Sequence, residues 1–125
     1  MNKKNILIVS NPEKMDQELF KWIERSDAFE MSFADTHEQA IEKCHQRLFD
    51  MVLVDVNDPE INRKMLKAIL PIFNAEVLLV AYEGGDAEKL DEVVNGAFEW
   101  RKMKRMQKLL VLEASVNEAP PFSLN

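Results

Sequence analysis

The feature that most constrains the fold is an apolar run that ends on a carboxylate, Asp50-Met51-Val52-Leu53-Val54-Asp55, followed by Val56-Asn57-Asp58-Pro59. Short continuous apolar runs rich in valine and leucine are typical of central strands in parallel sheets, which are buried on both faces. Open α/β sheets present their reactive groups beyond the carboxyl ends of such strands. The pattern therefore predicts that a strand delivers Asp55 to that edge of a sheet.

Three further segments have strand character. Residues 6–9 and 77–81 are short apolar runs like the first, and residues 29–33 alternate apolar and polar side chains as a half-exposed edge strand does. Residues 98–103 predict a weaker fifth strand. Segments with helical spacing separate these strands, so that strand and helix alternate about five times along the chain.

Helix boundaries also have sequence signals. Ser10-Asn11-Pro12 supplies a cap and a first-turn proline for a first helix, and Thr36 has capping-box spacing to Gln39 for a second. Asp86 can cap a later helix, for which Asn95-Gly96 is a suitable C-terminal stop. A last helix is predicted over residues 106–112.

These elements predict an α/β fold: a doubly wound, five-stranded parallel sheet with helices on both faces. At 125 residues the chain is long enough for one core. We expect one domain over residues 1–114 and an irregular tail over 115–125, where Pro120-Pro121 occurs.

Composition excludes several classes of function. A net charge of -6 argues against direct nucleic-acid binding, which needs a basic surface. Cys44, the only cysteine, cannot form an internal disulfide, and with His37 and His45 it makes no metal cluster. The chain shows no signal peptide or membrane span, so we expect a cytoplasmic protein. Glycine-rich phosphate-binding motifs are absent from the sequence.

The order and spacing of Asp55, Pro59, Val80-Ala81-Tyr82, Asn95-Gly96-Ala97 and Trp100 resemble the response-regulator receiver domains of two-component signalling. The resemblance covers roughly residues 5–114. It implies a receiver-like (flavodoxin-like) fold and a phosphorelay signalling role without enzymatic turnover. Asp55 stands at the phosphoacceptor position, and Mg²⁺ would be the cofactor of the chemistry.

The residues that support receiver chemistry are mostly replaced. Ser10 and Asn11 stand where the family has two metal-binding carboxylates, which leaves Asp55, Asn11 and the Asn57 carbonyl as a weakened Mg²⁺ site. Val80 occupies the hydroxyl position at the fourth strand. Met103 occupies the lysine position, with Lys102 and Lys104 facing the other way on a strand.

The sequence therefore predicts a stand-alone pseudo-receiver that acts mainly as a protein-interaction module. Trp100, Arg101 and Lys104 lie in the region where receivers dock partners, and they are the predicted docking residues. The resemblance implies other signalling proteins as partners, including a histidine kinase, and it allows a homodimer. The alternative is a small flavodoxin-like cofactor-binding protein or enzyme.

Overall fold

The computed structural model describes residues 3–118, with side chains described as far as residue 109. Helices and strands alternate throughout: β1 (Lys4–Val9), α1 (Gln17–Arg25), β2 (Phe29–Ala34), α2 (His37–Gln46), β3 (Met51–Asp55), α3 (Arg63–Phe73), β4 (Leu78–Tyr82) and α4 (Ala87–Glu118). This confirms the α/β class. No helix in the described residues is long and apolar enough to cross a membrane.

All four strands are parallel and lie in the order β2-β1-β3-β4. The chain first adds β2 on one side of β1 and then adds β3 and β4 on the other side. The order therefore reverses between β1 and β3, and in open α/β sheets the crevice beyond this switch point is where sites form. β1 ends at Val9 and β3 ends at Asp55, so the switch point lies beside Ser10 and Asp55.

The two central strands form the middle of the core. Their side chains alternate between the sheet faces, and both sets are buried. On one face Leu7, Val9, Val52 and Val54 pack in a single apolar cluster with side chains of α2 and α3: Ala40, Cys44, Leu66 and Leu70. Burial on both faces explains why these runs are continuous rather than alternating.

The second face of the sheet also carries buried side chains, Ile6, Ile8, Met51 and Leu53. Helix α1 and the first turns of α4 are joined by two contacts. Trp22 Nε1 donates to Asp91 at 3.1 Å, and the Ala87 amide donates to Glu18 at 2.9 Å. This second bond holds the pKa of the Glu18 carboxyl below its ordinary value.

Two of the three predicted N-terminal helix caps, at Thr36 and Asp86, are confirmed, and the third is wrong. Thr36 caps α2 by accepting from the Gln39 amide at 3.1 Å, as the capping-box spacing predicts. Helix α1 instead begins at Gln17 and is capped by Asp16, whose Oδ1 accepts from the Leu19 amide at 2.8 Å. The cap predicted at Ser10-Asn11-Pro12 is therefore wrong, and Ser10 is available for another contact.

The largest departure from prediction follows β4. Residues 98–103, predicted as a fifth strand, and residues 106–112, predicted as a separate helix, both belong to the single helix α4. Gly96 is not a C-terminal cap, because the positive-φ residues described are Gly84 and Gly85. Between Val94 and Val111 the chain has no β-branched residue and is rich in Lys, Arg, Met and Leu, so helix propensity outweighs the single glycine.

The chain divides into two compact units, residues 1–94 and 95–125. The predicted tail, 115–125, is helical at residues 115–118, and residues 119–125 lie outside the described part of the chain. The predicted domain boundary at residue 114 stays a prediction.

A substitution at Gly96 distinguishes a continuous helix from a strand-and-helix arrangement. Nothing lies within 4 Å of a Cβ added at Gly96. We expect Gly96→Ala to raise the free energy of unfolding by about 0.5–1 kcal/mol, because alanine restricts the unfolded chain and suits a helix interior. Urea unfolding measures the change.

Gly85→Ala is the matched control, because its added Cβ also meets nothing but its φ is +103°. That variant should lose stability through backbone strain alone. A loss of stability in Gly96→Ala as well would contradict the continuous helix and support a left-handed cap at Gly96.

Candidate functional site

Asp55 ends β3 at the switch point, as predicted, but its carboxylate is buried and hydrogen-bonded. The Ser10 hydroxyl donates to Asp55 Oδ2 at 3.0 Å, and the backbone amide of Asn57 donates to Oδ1 at 3.0 Å. Asp55 is 4% exposed and Ser10 is 3% exposed. Each carboxylate oxygen thus has an internal donor, which is the arrangement of a residue that closes a turn and joins two strands.

The hydroxyl of Ser10 is held in place by the sheet. Its amide donates to the Ala34 carbonyl at 3.0 Å, which continues the β1–β2 pairing one residue past β1. Ser10 therefore bridges β2 through its backbone and β3 through its side chain. A second carboxylate at this position, facing the buried Asp55, would place like charges together instead of completing a hydrogen bond.

The other predicted metal ligands have their own local partners. Asn11 Oδ1 accepts from the Glu13 amide at 2.9 Å, so the side chain closes the loop after β1. The Asn57 side chain is exposed. The two asparagines are thus near the expected edge, but Asn11 is oriented by its own loop.

Asp58, a further carboxylate just beyond β3, has partners of its own. Its Oδ1 accepts from the Glu60 amide at 3.0 Å, and Lys14 Nζ lies 3.6 Å from the same oxygen. A shallow depression of about 550 Å³ lies over this loop, lined in part by Asn57, Asp58 and Glu83. Asp55 does not line it, so the depression does not expose the acceptor position.

These contacts do not fit a Mg²⁺ site. The metal needs several oxygen ligands free to converge on it, and carboxylates supply most of the binding energy. Here both oxygens of Asp55 accept from protein donors, and Asp58 is paired with the Lys14 ammonium. In the described residues no group of three or more His, Cys, Asp or Glu side chains is arranged to hold a metal ion.

Strand β4 places a tyrosine beside Asp55, and not serine, threonine or valine. The parallel register pairs Asp55 with Tyr82, whereas Val80 pairs with Leu53 further into the sheet. Tyr82 is 2% exposed, and its hydroxyl lies 2.8 Å from Asp16 Oδ2 and 2.9 Å from Oδ1. The same carboxylate caps α1, so Asp16 ties the start of this helix to the end of β4.

Tyr82 and Asp16 were not identified from the sequence. Burial, followed by the hydrogen bond donated to Asp16, raises the pKa of Tyr82 well above its ordinary value of 10.0. The phenol therefore stays protonated and serves as a donor at neutral pH. Tyr82 directly follows a predicted strand, which is a signal, but Asp16 falls inside the helix predicted to begin after Ser10-Asn11-Pro12, and the sequence does not place the two residues in contact.

Met103, which was predicted to occupy the family's lysine position on a fifth strand, does not lie on a strand. Met103, Lys102 and Lys104 are all exposed residues of α4, and none of them ends a strand. The prediction that Lys102 and Lys104 face the opposite side of a strand from Met103 is therefore wrong, because the segment is helical.

The predicted docking residues have unequal exposure. Trp100 is 57% exposed, and Lys104 Nζ lies 5.8 Å from the centroid of its ring. Arg101 is 7% exposed and its guanidinium lies 5.3 Å from the Phe98 ring centroid. Trp100 and Lys104 thus remain candidates for docking, whereas Arg101 is too buried for that role.

The two histidines have structural contacts. His37 Nδ1 accepts from the Asn62 amide at 3.1 Å, which connects α2 to the cap of α3. The exposed His45 ring lies 5.1 Å from Phe73 between centroids. His37 is half-buried.

No protein-family model and no curated protein sequence matches this chain.

Titration of the only tyrosine tests the geometry beside Asp55. Since the chain has one tyrosine, the tyrosinate absorbance at 295 nm reports Tyr82 directly. The native state holds this proton more tightly than the unfolded chain does, so the free energy of unfolding should fall as the pH rises above about 10. We expect ionisation in the native protein to be delayed and to coincide with unfolding.

Asp16→Asn should lower the pKa of Tyr82 towards its ordinary value, because it removes an anion beside the phenol. Asp86→Asn is the control, since Asp86 also caps a helix through the Lys89 amide at 2.7 Å but does not bond Tyr82. Ionisation near pH 10 in the folded wild-type protein would contradict the buried phenol–carboxylate pair.

Proposed function

We propose that this protein is a receiver-like signalling module of two-component type that acts in the cytoplasm by binding other signalling proteins, and that Asp55 is a structural residue in it. The observation that carries the proposal is the buried Asp55 carboxylate, with one oxygen bonded to Ser10 and the other to Asn57. The strand order β2-β1-β3-β4 supports the fold assignment, because it is the first four strands of the flavodoxin-like order.

The proposed fold is the doubly wound one, with α2 and α3 on one face and α1 and the start of α4 on the other. The Trp22–Asp91 and Glu18–Ala87 contacts support this arrangement of α1 and α4. A long helix takes the place of the fifth strand and fifth helix. The described residues therefore include the strands that position Asp55 but no fifth strand that would bring a lysine to it.

Phosphoryl transfer to Asp55 would oppose the observed electrostatics. The carboxylate would have to leave two hydrogen bonds, each worth about 1.5–3 kcal/mol where a charged group accepts. The incoming phosphoryl group adds negative charge, which receivers balance with a metal ion and a lysine. The Lys14 ammonium, in the loop after β1, is already paired with Asp58 and Glu60.

Binding activity has a better structural basis in the second half of α4. We call residues 95–109 the α4 extension. At 3.6 residues per turn, Trp100, Met103 and Met106 fall within about a third of the helix circumference, and each is more than half exposed. Solvent-exposed apolar side chains grouped in this way mark interaction sites in proteins.

The opposite side of the α4 extension is basic. Its basic side chains are Arg101, Lys102, Lys104, Arg105 and Lys108, against a single carboxylate, Glu99. A basic amphipathic helix suits an apolar groove with an acidic rim. We therefore propose an acidic protein surface as the partner, bound through Trp100 and Lys104.

The phosphorylation prediction is tested with Mg²⁺ and acetyl phosphate or beryllofluoride. The wild-type protein should give neither a phosphoryl adduct by intact mass nor Mg²⁺-dependent changes in the amide signals of residues 55–57. The reason is that the Asp55 oxygens are already bonded. A Mg²⁺-dependent adduct that Asp55→Asn abolishes would contradict the proposal.

A variant that restores the acidic pair, Ser10→Asp with Asn11→Asp, is the positive control. It returns two carboxylates to the metal edge and removes the Ser10 donor from Asp55. We expect Mg²⁺ to shift the amide signals of residues 10–12 and 55–57 in this variant, because hard carboxylate oxygens are the ligands it prefers.

The docking prediction is tested by quantitative recovery of partners from cell extract. Trp100→Ala and Lys104→Glu should each lower recovery at least tenfold. Phe20→Ala is the matched control, because Phe20 is an aromatic residue with similar exposure, 54%, on a different helix, α1. Equal recovery with all three variants and the wild type would exclude the α4 extension as the docking surface.

A further inference from the structure

Strand β4 has one paired edge and one unpaired edge in the described part of the chain. It pairs with β3 on its inner side, and among residues 3–118 no strand lies on its outer side. The Leu78 amide donates to Asp50, and the Tyr82 carbonyl accepts from the Val56 amide. Since backbone groups alternate in direction along a strand, those of Leu79 and Ala81 point to the outer edge.

An unpaired edge of this kind is a template for another strand. Soluble proteins usually protect such edges with charge, proline or a covering element. Residues 78–81 contain neither a charged residue nor a proline, and their side chains are only half-buried. The outer edge of β4 therefore has the backbone donors and acceptors, and the apolar side chains, that strand addition uses.

A cleft beside this strand indicates the chemistry of the added segment. The cleft has a volume of about 400 Å³, with a floor that includes Val54, Leu79 and Ala81. Its rim is basic and consists of Arg63, Lys64 and Lys67 of α3. Among the described residues, no carboxylate forms an ion pair with any of these three side chains.

We propose that the outer edge of β4 binds an extended segment of a partner protein by β-strand addition, and that this segment alternates apolar and acidic residues. The backbone of Leu79 and Ala81 would pair with the segment. Its apolar side chains would enter the cleft, and its carboxylates would meet Lys64 and Lys67. This site is built entirely from residues of the first unit and does not depend on the state of Asp55.

Charge and composition favour a partner protein over two other occupants. A second copy paired edge to edge would bring another set of Arg63, Lys64 and Lys67 against the first, which like charges oppose. Residues 119–125 have the sequence Ala-Pro-Pro-Phe-Ser-Leu-Asn, with no Asp or Glu. Their two prolines lack the amide hydrogen that a ladder needs.

The test uses the purified full chain and a labelled peptide in which valine and glutamate alternate. A peptide with lysine in place of glutamate is the charge control. Fluorescence anisotropy should show binding of the glutamate peptide and none of the lysine peptide. Amide hydrogen exchange at Leu79 and Ala81 should slow when the glutamate peptide binds.

Two independent variants should weaken that binding at least tenfold. Ala81→Pro removes an outward amide without touching the bonds to β3, and Ala81→Ser is its control because it keeps the amide. Lys64→Glu with Lys67→Glu reverses the rim on the exposed side of α3, so it remains informative if the proline variant fails to fold. Arg25→Glu with Lys89→Glu is the matched charge reversal, because both side chains are exposed and neither lines the cleft.

Three results would overturn the proposal. The first is the absence of glutamate-peptide binding to the wild-type protein. The second is binding that persists unchanged in both variants, with no added protection at Leu79 and Ala81. The third is a concentration-dependent dimer, seen by light scattering and lost in Ala81→Pro, which would assign the edge to a second copy. None of these results bears on whether the α4 extension or Asp55 acts as proposed.

Discussion

The hydrogen bond from Ser10 to Asp55 is the contact on which the proposed function depends. It joins the ends of the two central strands at the point where the strand order reverses, which is where an α/β sheet forms a site. Ser10 donates to one oxygen of Asp55 and the backbone amide of Asn57 donates to the other, so both oxygens of the carboxylate accept hydrogen bonds from within the protein. The edge that would carry phosphoryl chemistry is therefore a structural junction, and Tyr82 with Asp16 reinforces it from the side of β4.

The continuous helix α4 has two consequences for binding. Because residues 98–103 are helical and not the predicted fifth strand, the outer edge of β4 is unpaired in the described residues. The helix also exposes an apolar stripe on residues that a receiver would use in a strand and a separate helix. One change in secondary structure thus creates both proposed binding surfaces, a basic amphipathic helix and a strand edge with a basic rim.

Sequence patterns predicted the strands that are set by burial, and they failed where contacts between distant residues determine the local structure. The short central runs ending at Val9 and Asp55 are typical of buried strands, and Thr36 had a local cap signal that needs no distant partner. The cap of α1 at Asp16 was missed because Ser10-Asn11-Pro12, with a capping residue followed by a proline, has the stronger local signal for a helix start. What draws Ser10 away is Asp55, 45 residues further along the chain. The weak fifth strand was predicted from the residue pattern of 98–103 alone, and helix propensity from Gly96 to Lys108 opposed it.

The most direct test of the central claim is the free energy of unfolding of Asp55→Ala, measured with Ser10→Ala and the double variant. A carboxylate used structurally should cost about 1–3 kcal/mol when removed, because the Ser10 hydroxyl is left buried without its acceptor. Ser10→Ala should then lower the free energy of unfolding by less in the Asp55→Ala background than in the wild-type protein, and this difference measures the coupling between Ser10 and Asp55. Phosphoacceptor sites crowd carboxylates together, so removing one relieves repulsion. A rise in stability for Asp55→Ala, with no coupling to Ser10, would contradict the account.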